Sequence, residues 1–157
     1  MDLRIVWLFL HIALMFAGVT VSYGITTMLR VAYGTGQTAA VRGVGMTAGK
    51  IGHYIPILFV GGGIFGLITG ITYGYNLLAP WLIIAYVLFA IAMILGVVEN
   101  APFGAKLGKL LMQTPDGPVT AEIRELFDEP RTVALLWVDY AVVILLIFDM
   151  VVKPFGV

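Results

Sequence analysis

The chain has 157 residues, of which 61% are hydrophobic and only 11% are charged, and its mean hydropathy is +1.02. Soluble domains carry about 25% charged residues, so this composition predicts one membrane domain with no separate soluble domain of useful size. The nine Lys and Arg residues balance the nine Asp and Glu residues, and there is no cysteine. We therefore expect no nucleic-acid partner, no disulfide, no thiolate metal site, no iron–sulfur cluster and no covalently bound c-type haem.

Four apolar segments are long enough to cross a bilayer, which takes about 20 apolar residues. In chain order they are residues 5–28, 54–73, 78–98 and 133–152. The first segment is too long for the apolar part of a signal peptide, so we expect it to be retained as a span. The fold predicted is all-α: a single polytopic domain over the whole chain, with four transmembrane helices in an antiparallel bundle.

The second span carries glycines at four-residue spacing. They are Gly62, Gly66, Gly70 and Gly74. In water each glycine would disfavour a helix by roughly 1 kcal/mol relative to Ala, but in a bilayer the backbone has no alternative partner. A strip of glycines allows a second helix to approach closely. Because the link to the third span is short, the sequence predicts that the third span is the partner of this strip.

The two longer links differ in character. Residues 30–50 are rich in Gly and Thr and predict a surface loop with at most a short helical turn. Residues 99–132 hold most of the polar side chains and predict two short amphipathic helices, at 105–112 and 120–127. A turn signal of Pro, Asp and Gly separates these two helices.

The Lys and Arg residues are concentrated in these two links. Seven of the nine lie there: Arg30, Arg42, Lys50, Lys106, Lys109, Arg124 and Arg131. By the positive-inside rule, both long links are predicted to lie in the cytoplasm and both termini outside. We expect a multi-pass protein of a bacterial cytoplasmic (inner) membrane.

His11 is the sharpest candidate for chemistry, because it lies within the first span and polar residues at membrane depth usually face the bundle interior. Two interpretations are open: an interhelical hydrogen bond, or an axial ligand of haem b. The second ligand of such a haem would be either a second copy of His11 across a dimer or Met150, the methionine at the same predicted depth in another span. His53 begins the second span at the opposite depth. Since a bilayer core is about 30 Å thick, His53 and His11 cannot share one haem within a monomer.

Asp139 and Asp149 both lie in the fourth span, about 15 Å apart along a helix axis. An aspartate at the bilayer centre costs roughly 3 kcal/mol on insertion scales, so each needs a reason to be there. One interpretation is a buried polar clamp that holds the helices together, in which Lys153, one turn on, neutralises Asp149. The other is a proton path. No metal site is predicted.

Two short motifs resemble known families. The run Trp7-Leu8-Phe9-Leu10-His11-Ile12-Ala13, with Gly18, resembles the first span of the copper-resistance D-like proteins and of the membrane-bound protoporphyrinogen oxidases. The resemblance to the oxidases implies that His11 is a haem ligand. The closing run Phe148-Asp149-Met150-Val151-Val152-Lys153-Pro154 resembles the uncharacterised four-helix integral membrane family called domain of unknown function 2269, which implies a fold but no reaction.

Three functions follow from these observations. The leading hypothesis is a non-enzymatic structural or accessory component of a membrane assembly, as a homo-oligomer or part of a larger complex. The first alternative is a haem-b protein of redox or tetrapyrrole chemistry with His11 as axial ligand. The second alternative is a small proton-coupled transporter that uses Asp139 and Asp149.

Overall fold

The computed structural model describes residues 2–155, and the chain is helical over most of this range. The helices are α1 Leu3–Gly34, α2 Thr38–Ile51, α3 Tyr54–Thr72, α4 Pro80–Leu95, α5 Ala101–Gln113, α6 Ala121–Asp128 and α7 Pro130–Val152. A single π-helical turn, Gly96–Asn100, joins α4 to α5 without a break. No β-strand is present in the described range, which confirms the predicted all-α class.

Four helices are long and apolar enough to cross a membrane: α1, α3, the continuous helix formed by α4 and α5, and α7. This confirms the prediction of a multi-pass membrane protein. With 32 residues, α1 is about 48 Å long, whereas the hydrocarbon core of a bilayer measures about 30 Å. One end of α1 therefore extends beyond the apolar layer.

The four long helices associate as two pairs, α1 with α3 and α4 with α7. The short link after α3 predicted that α4 would pack on the glycine strip, but the strip packs mainly on α1. At the α4–α7 pair, Trp81 and Leu82 are buried together and Met150 packs against them. Between the pairs, α3 and α4 meet where Gly63 faces the ring of Phe89, 3.3 Å from the position of a Cβ.

Gly74 does not belong to the glycine strip, contrary to the sequence prediction. α3 ends at Thr72, and Gly74 lies in the turn that follows, with φ +73. The amide of Tyr75 donates to the Gly70 carbonyl at 2.9 Å and closes this turn. Glycine tolerates the left-handed conformation at no steric cost, so Gly74 serves the turn instead of helix packing.

The best-buried core lies outside the four apolar stretches, in a region that we call the cap: α2, α5, α6 and residues 114–120, packed on the C-terminal end of α1. Its buried residues are Leu29, Ala32, Val41, Leu107, Leu111, Val119, Ile123, Leu126 and Phe127. Residues 121–128 form the short helix α6, whereas residues 105–112 belong to α5, which continues α4 instead of forming a separate helix. Residues 38–51, predicted as loop, form α2 instead, because Val41 is buried in this core.

Hydrogen bonds hold the turn between α5 and α6 against the start of α2. The guanidinium of Arg42 donates to the Leu111 carbonyl at 3.1 Å and also contacts the Thr114 carbonyl and the Asp116 carboxylate. The Thr38 amide donates to the Gly117 carbonyl at 2.8 Å. The cap is thus organised like the core of a small soluble domain.

Candidate functional site

A cavity of about 640 Å³ lies between the two helix pairs and reaches the cap. Residues from all seven helices line it, so no single element forms the site. Its volume is within the roughly 300–1,000 Å³ range typical of small-molecule sites. It is the strongest candidate for a functional site in the described part of the chain.

The cavity exists partly because glycines line it. A Cβ built on any of four lining glycines would meet no atom within 4 Å: Gly49 of α2, Gly96 of the π-helical turn, and Gly104 and Gly108 of α5. These residues therefore face open space. The glycines packed between α1 and α3 have no such space beside them: a Cβ on Gly62 would lie 2.7 Å from the Met15 sulfur.

The rest of the wall is mainly apolar. Phe59, Phe89, Leu136 and Val143 contribute side chains from α3, α4 and α7. Binding sites for small molecules combine such apolar walls with a few polar groups that fix the orientation of the ligand. The polar groups of this cavity are grouped where α1, the π-helical turn and α7 approach one another.

Asp139 is the central member of this polar group. The hydroxyl of Tyr23 on α1 donates to the backbone carbonyl of Asp139 at 3.2 Å, and the side chains of Tyr23 and Asn100 lie beside the Asp139 carboxyl group. The rings of Tyr23 and Tyr140 pack with their centroids 4.7 Å apart. Together these contacts join α1 to α7 across the cavity wall.

The π-helical turn places Glu99 and Asn100 at the same cavity. Such turns insert one residue into a helix and are frequent at functional sites. Glu99 accepts a hydrogen bond from Arg131 at 2.6 Å. His53, at the start of α3, lies at the exposed edge of the cavity with its ring centroid 3.9 Å from that of Tyr54.

His11 lies in the interface of α1 with α3, outside the lining of the cavity. Its Nδ1 is 2.7 Å from the Gly62 carbonyl oxygen, and its ring covers Gly66, where a Cβ would lie 2.8 Å from Nδ1. Because a carbonyl can only accept, Nδ1 carries the proton and a neutral imidazole keeps its lone pair on Nε2. The geometry is that of an interhelical hydrogen bond, and the tautomer is also the one that suits a metal ligand.

Met150, the predicted second haem ligand, packs on α4 against Ala79, Trp81 and Leu82. It belongs to the α4–α7 pair, whereas His11 belongs to the α1–α3 pair, and neither residue lines the cavity. The structure therefore does not assemble the predicted ligand pair around the large cavity.

Asp149 and Asp139 have different surroundings. Asp149 is only 3% exposed, and neither carboxyl oxygen has a hydrogen-bond partner among residues 2–155. Lys153, its expected ion-pair partner, instead places Nζ 3.3 Å from the Tyr75 hydroxyl and over the faces of Tyr75 and Trp81. Asp149 does not line the cavity, so the two aspartates do not share it as a path.

Sequence reasoning missed two parts of this site: Tyr23 and the open glycines of α2 and α5. It did predict, from depth in the membrane, that Asp139 lies near Glu99, Asn100 and His53. A signal for the glycines was present, because Gly45 and Gly49, like Gly104 and Gly108, repeat the four-residue spacing of the packed strip. The spacing does not distinguish a glycine that faces a neighbouring helix from one that faces open space.

No protein-family model, curated protein or solved structure matches the chain. The fold and the cavity therefore define its class by themselves: a multi-pass helical membrane protein with a cavity between its helix pairs.

Proposed function

We propose that the protein is a non-catalytic accessory component of a bacterial inner membrane that binds a small, mainly apolar molecule between its two helix pairs. The single observation that carries this proposal is the cavity of about 640 Å³, lined by residues of every helix. The cavity is partly open, and its volume is within the range of small-molecule sites. A concave, mainly apolar space lined by every helix supports binding of such a molecule.

The charge distribution supports an orientation for this site. The cap and the adjoining helix ends carry Lys50, Lys106, Lys109, Arg124 and Arg131, and positive residues favour the cytoplasmic side. In this orientation, with the termini outside and the long helices alternating in direction, the cavity lies in the cytoplasmic half of the protein. Its occupant would enter from the inner leaflet or the cytoplasm.

Binding of the neutral dye Nile red, measured by fluorescence in lipid nanodiscs after subtraction of empty discs, tests the proposal. Wild-type protein should bind the dye saturably. Gly104→Leu and Gly108→Leu should each weaken binding at least about tenfold, since a leucine side chain displaces several ligand contacts of the kind that contribute about 0.8 kcal/mol per CH₂.

The matched control is Gly24→Leu. A Cβ on Gly24 also meets no atom within 4 Å, but Gly24 does not line the cavity, so this variant should bind like the wild type. Equal binding by all four proteins, or no binding above empty discs, would rule the proposal out.

A haem-b protein is the second candidate, favoured by the hydrogen bond between His11 Nδ1 and the Gly62 carbonyl. That bond orients the imidazole and leaves Nε2 for a metal, as backbone carbonyls that accept from metal-ligating histidines do. Purified protein with a Soret band that disappears in His11→Ala would establish this candidate, and a colourless preparation from haem-supplemented cells would refute it.

Proton-coupled transport stays a prediction. It is tested by flux in liposomes, and flux that is unchanged in the Asp139→Asn, Asp149→Asn double variant would contradict it.

A further inference from the structure

The charged side chains that line the cavity differ in whether they have an ion-pair or hydrogen-bond partner. Glu99 is paired with Arg131 at 2.6 Å, and Arg30 donates to the Phe127 carbonyl at 2.9 Å and lies over the Phe127 ring. Asp139 has no Lys, Arg or His nitrogen within 4 Å among residues 2–155. Its carboxyl neighbours, Tyr23 and Asn100, are uncharged.

We infer that the molecule bound in this cavity is an amphiphile with one apolar chain and a protonated amine, and that the amine pairs with Asp139. The inference rests on the proposed function and specifies its ligand class. Asp139 is half-buried, and a carboxylate that loses part of its hydration is stabilised by a cationic partner. The cavity places a hydroxyl and an amide beside Asp139 but, within the described range, no Lys, Arg or His nitrogen within 4 Å of its carboxyl group, so the ligand is the source of the missing charge.

Charge and shape together select this class of ligand. An anionic molecule would be repelled by Asp139, since like charges disfavour one another at short range in a medium of low dielectric constant. The Arg30 guanidinium is directed to the Phe127 carbonyl and ring. An alkyl chain suits the remaining wall, which Phe59, Phe89, Leu136 and Val143 make apolar. His53 is exposed at the edge of the cavity and makes no ion pair with Asp139.

Displacement of Nile red by two matched probes tests the inference. Decylamine and decanol share the same chain and differ in the head group, so their ratio of inhibition constants isolates the contribution of the amine. In wild-type nanodiscs decylamine should be about tenfold more potent than decanol, as expected for a charge-assisted hydrogen bond. In Asp139→Asn, a nearly isosteric change that keeps the backbone carbonyl bonded by Tyr23, the ratio should fall to about one.

Asp149→Asn is the matched control, because Asp149 is a second buried acid of α7 that does not line the cavity. This variant should keep the tenfold preference for the amine. Equal potency of the two probes in the wild type, or a preference that persists in Asp139→Asn or disappears in Asp149→Asn, would overturn the inference. None of these results contradicts the proposed function, provided that Gly104→Leu still weakens the binding of Nile red. Absence of Nile red binding by the wild type would overturn both.

Discussion

At the scale of single residues, the glycines of this molecule have two different roles: some allow close helix packing and others face the cavity. Gly62 and Gly66 let α1 lie against α3, so that Met15 and His11 occupy the space of the missing side chains. Gly104, in contrast, lines the cavity, and a Cβ built on it would meet no atom within 4 Å. A larger residue should therefore lower the stability of the protein at Gly62 or Gly66, and it should meet no steric obstacle at Gly104.

Gly66→Leu should lower the free energy of unfolding by about 1–3 kcal/mol, the usual cost of inserting extra groups into a packed site. The new side chain would meet the His11 ring, whose Nδ1 lies 2.8 Å from the position of the Cβ. Thermal unfolding in detergent measures the effect. Gly24→Leu, where the Cβ meets nothing, is the control and should change stability little.

A double variant shows whether the imidazole itself causes this loss. In a His11→Ala background the ring is absent, so Gly66→Leu should cost less than in the wild type, with a coupling of about 0.5–3 kcal/mol. An identical cost in both backgrounds would show that the overlap with His11 is not the reason.

Lys153 provides a second prediction at this scale. Its ammonium lies 4.6 Å from the ring centroid of Tyr75 and 5.1 Å from that of Trp81. Lys153→Met keeps an unbranched side chain but removes the cation, so it should cost about 0.5–2 kcal/mol of cation–π attraction. Lys106→Met, at an exposed position of α5, is the control. Equal unfolding temperatures for the two variants would contradict the prediction.

At the scale of elements, the pairing of the long helices shows the limit of an argument from link length. The seven residues 73–79 reach about 23 Å in an extended conformation, which is more than twice the usual distance of about 8–10 Å between packed helices. The link after α3 therefore permits contact with α4 but does not require it. Gly62 and Gly66 fit the side chains of α1, and α4 finds its buried contacts on α7.

Helix α2 shows a different limit. Its five glycines and threonines resemble a loop in composition, and glycine disfavours helices by about 1 kcal/mol per residue. Burial of Val41 against the cap core compensates for this cost, since complete burial of such a side chain contributes about 1.5–3 kcal/mol. Tertiary packing thus overrides a weak local preference.

Arg42→Lys should loosen the cap. The guanidinium contacts the carbonyls of Leu111 and Thr114 and the Asp116 carboxylate at once, a fork that a lysine ammonium cannot reproduce. We expect a loss of about 1–3 kcal/mol and faster hydrogen exchange in residues 36–44 and 111–119.

Arg124→Lys is the control for this change, because Arg124 lies on the exposed face of α6. It should leave hydrogen exchange in both segments unchanged. Equal protection of these segments in Arg42→Lys and the wild type would show that the fork does not hold the turn.

At the scale of the whole molecule, burial is distributed unevenly. Only 6–17% of the residues in the most apolar stretch of each long helix are buried inside the protein, whereas the cap contains Val41, Ile123 and Phe127 at 0% exposure. The long helices thus form two pairs whose apolar outer surfaces are exposed, with a cavity between the pairs. An occupant of the cavity would contact both pairs and should stabilise their association.

A bound ligand should therefore raise the unfolding temperature of the whole protein. At a free concentration 100 times the dissociation constant, linkage adds about 2.7 kcal/mol to stability. We expect decylamine to stabilise the wild type in detergent and to have little effect on Gly104→Leu, whose added side chain occupies part of the cavity. A similar rise in both proteins would indicate non-specific binding to the apolar surface.

The sequence by itself determined the class of this protein, the positions of its four long apolar helices and the short helix α6 of the cap, but not that the third helix continues to Gln113. These features depend on the length and periodicity of apolar runs and on turn residues, which act over a few neighbours along the chain. The candidate residues His11 and Asp139 could also be selected from sequence, since any polar side chain within an apolar run is conspicuous.

Only the tertiary structure decided which helices pair, that residues 38–51 are helical, and where open space remains. It alone separates Gly66, which is covered by His11, from Gly104, which faces the cavity, and it alone places Tyr23 beside Asp139. The physical reason is that burial and the presence of a void depend on atoms distant in the sequence. A local pattern of glycines or acids is the same whether its surroundings are filled or empty.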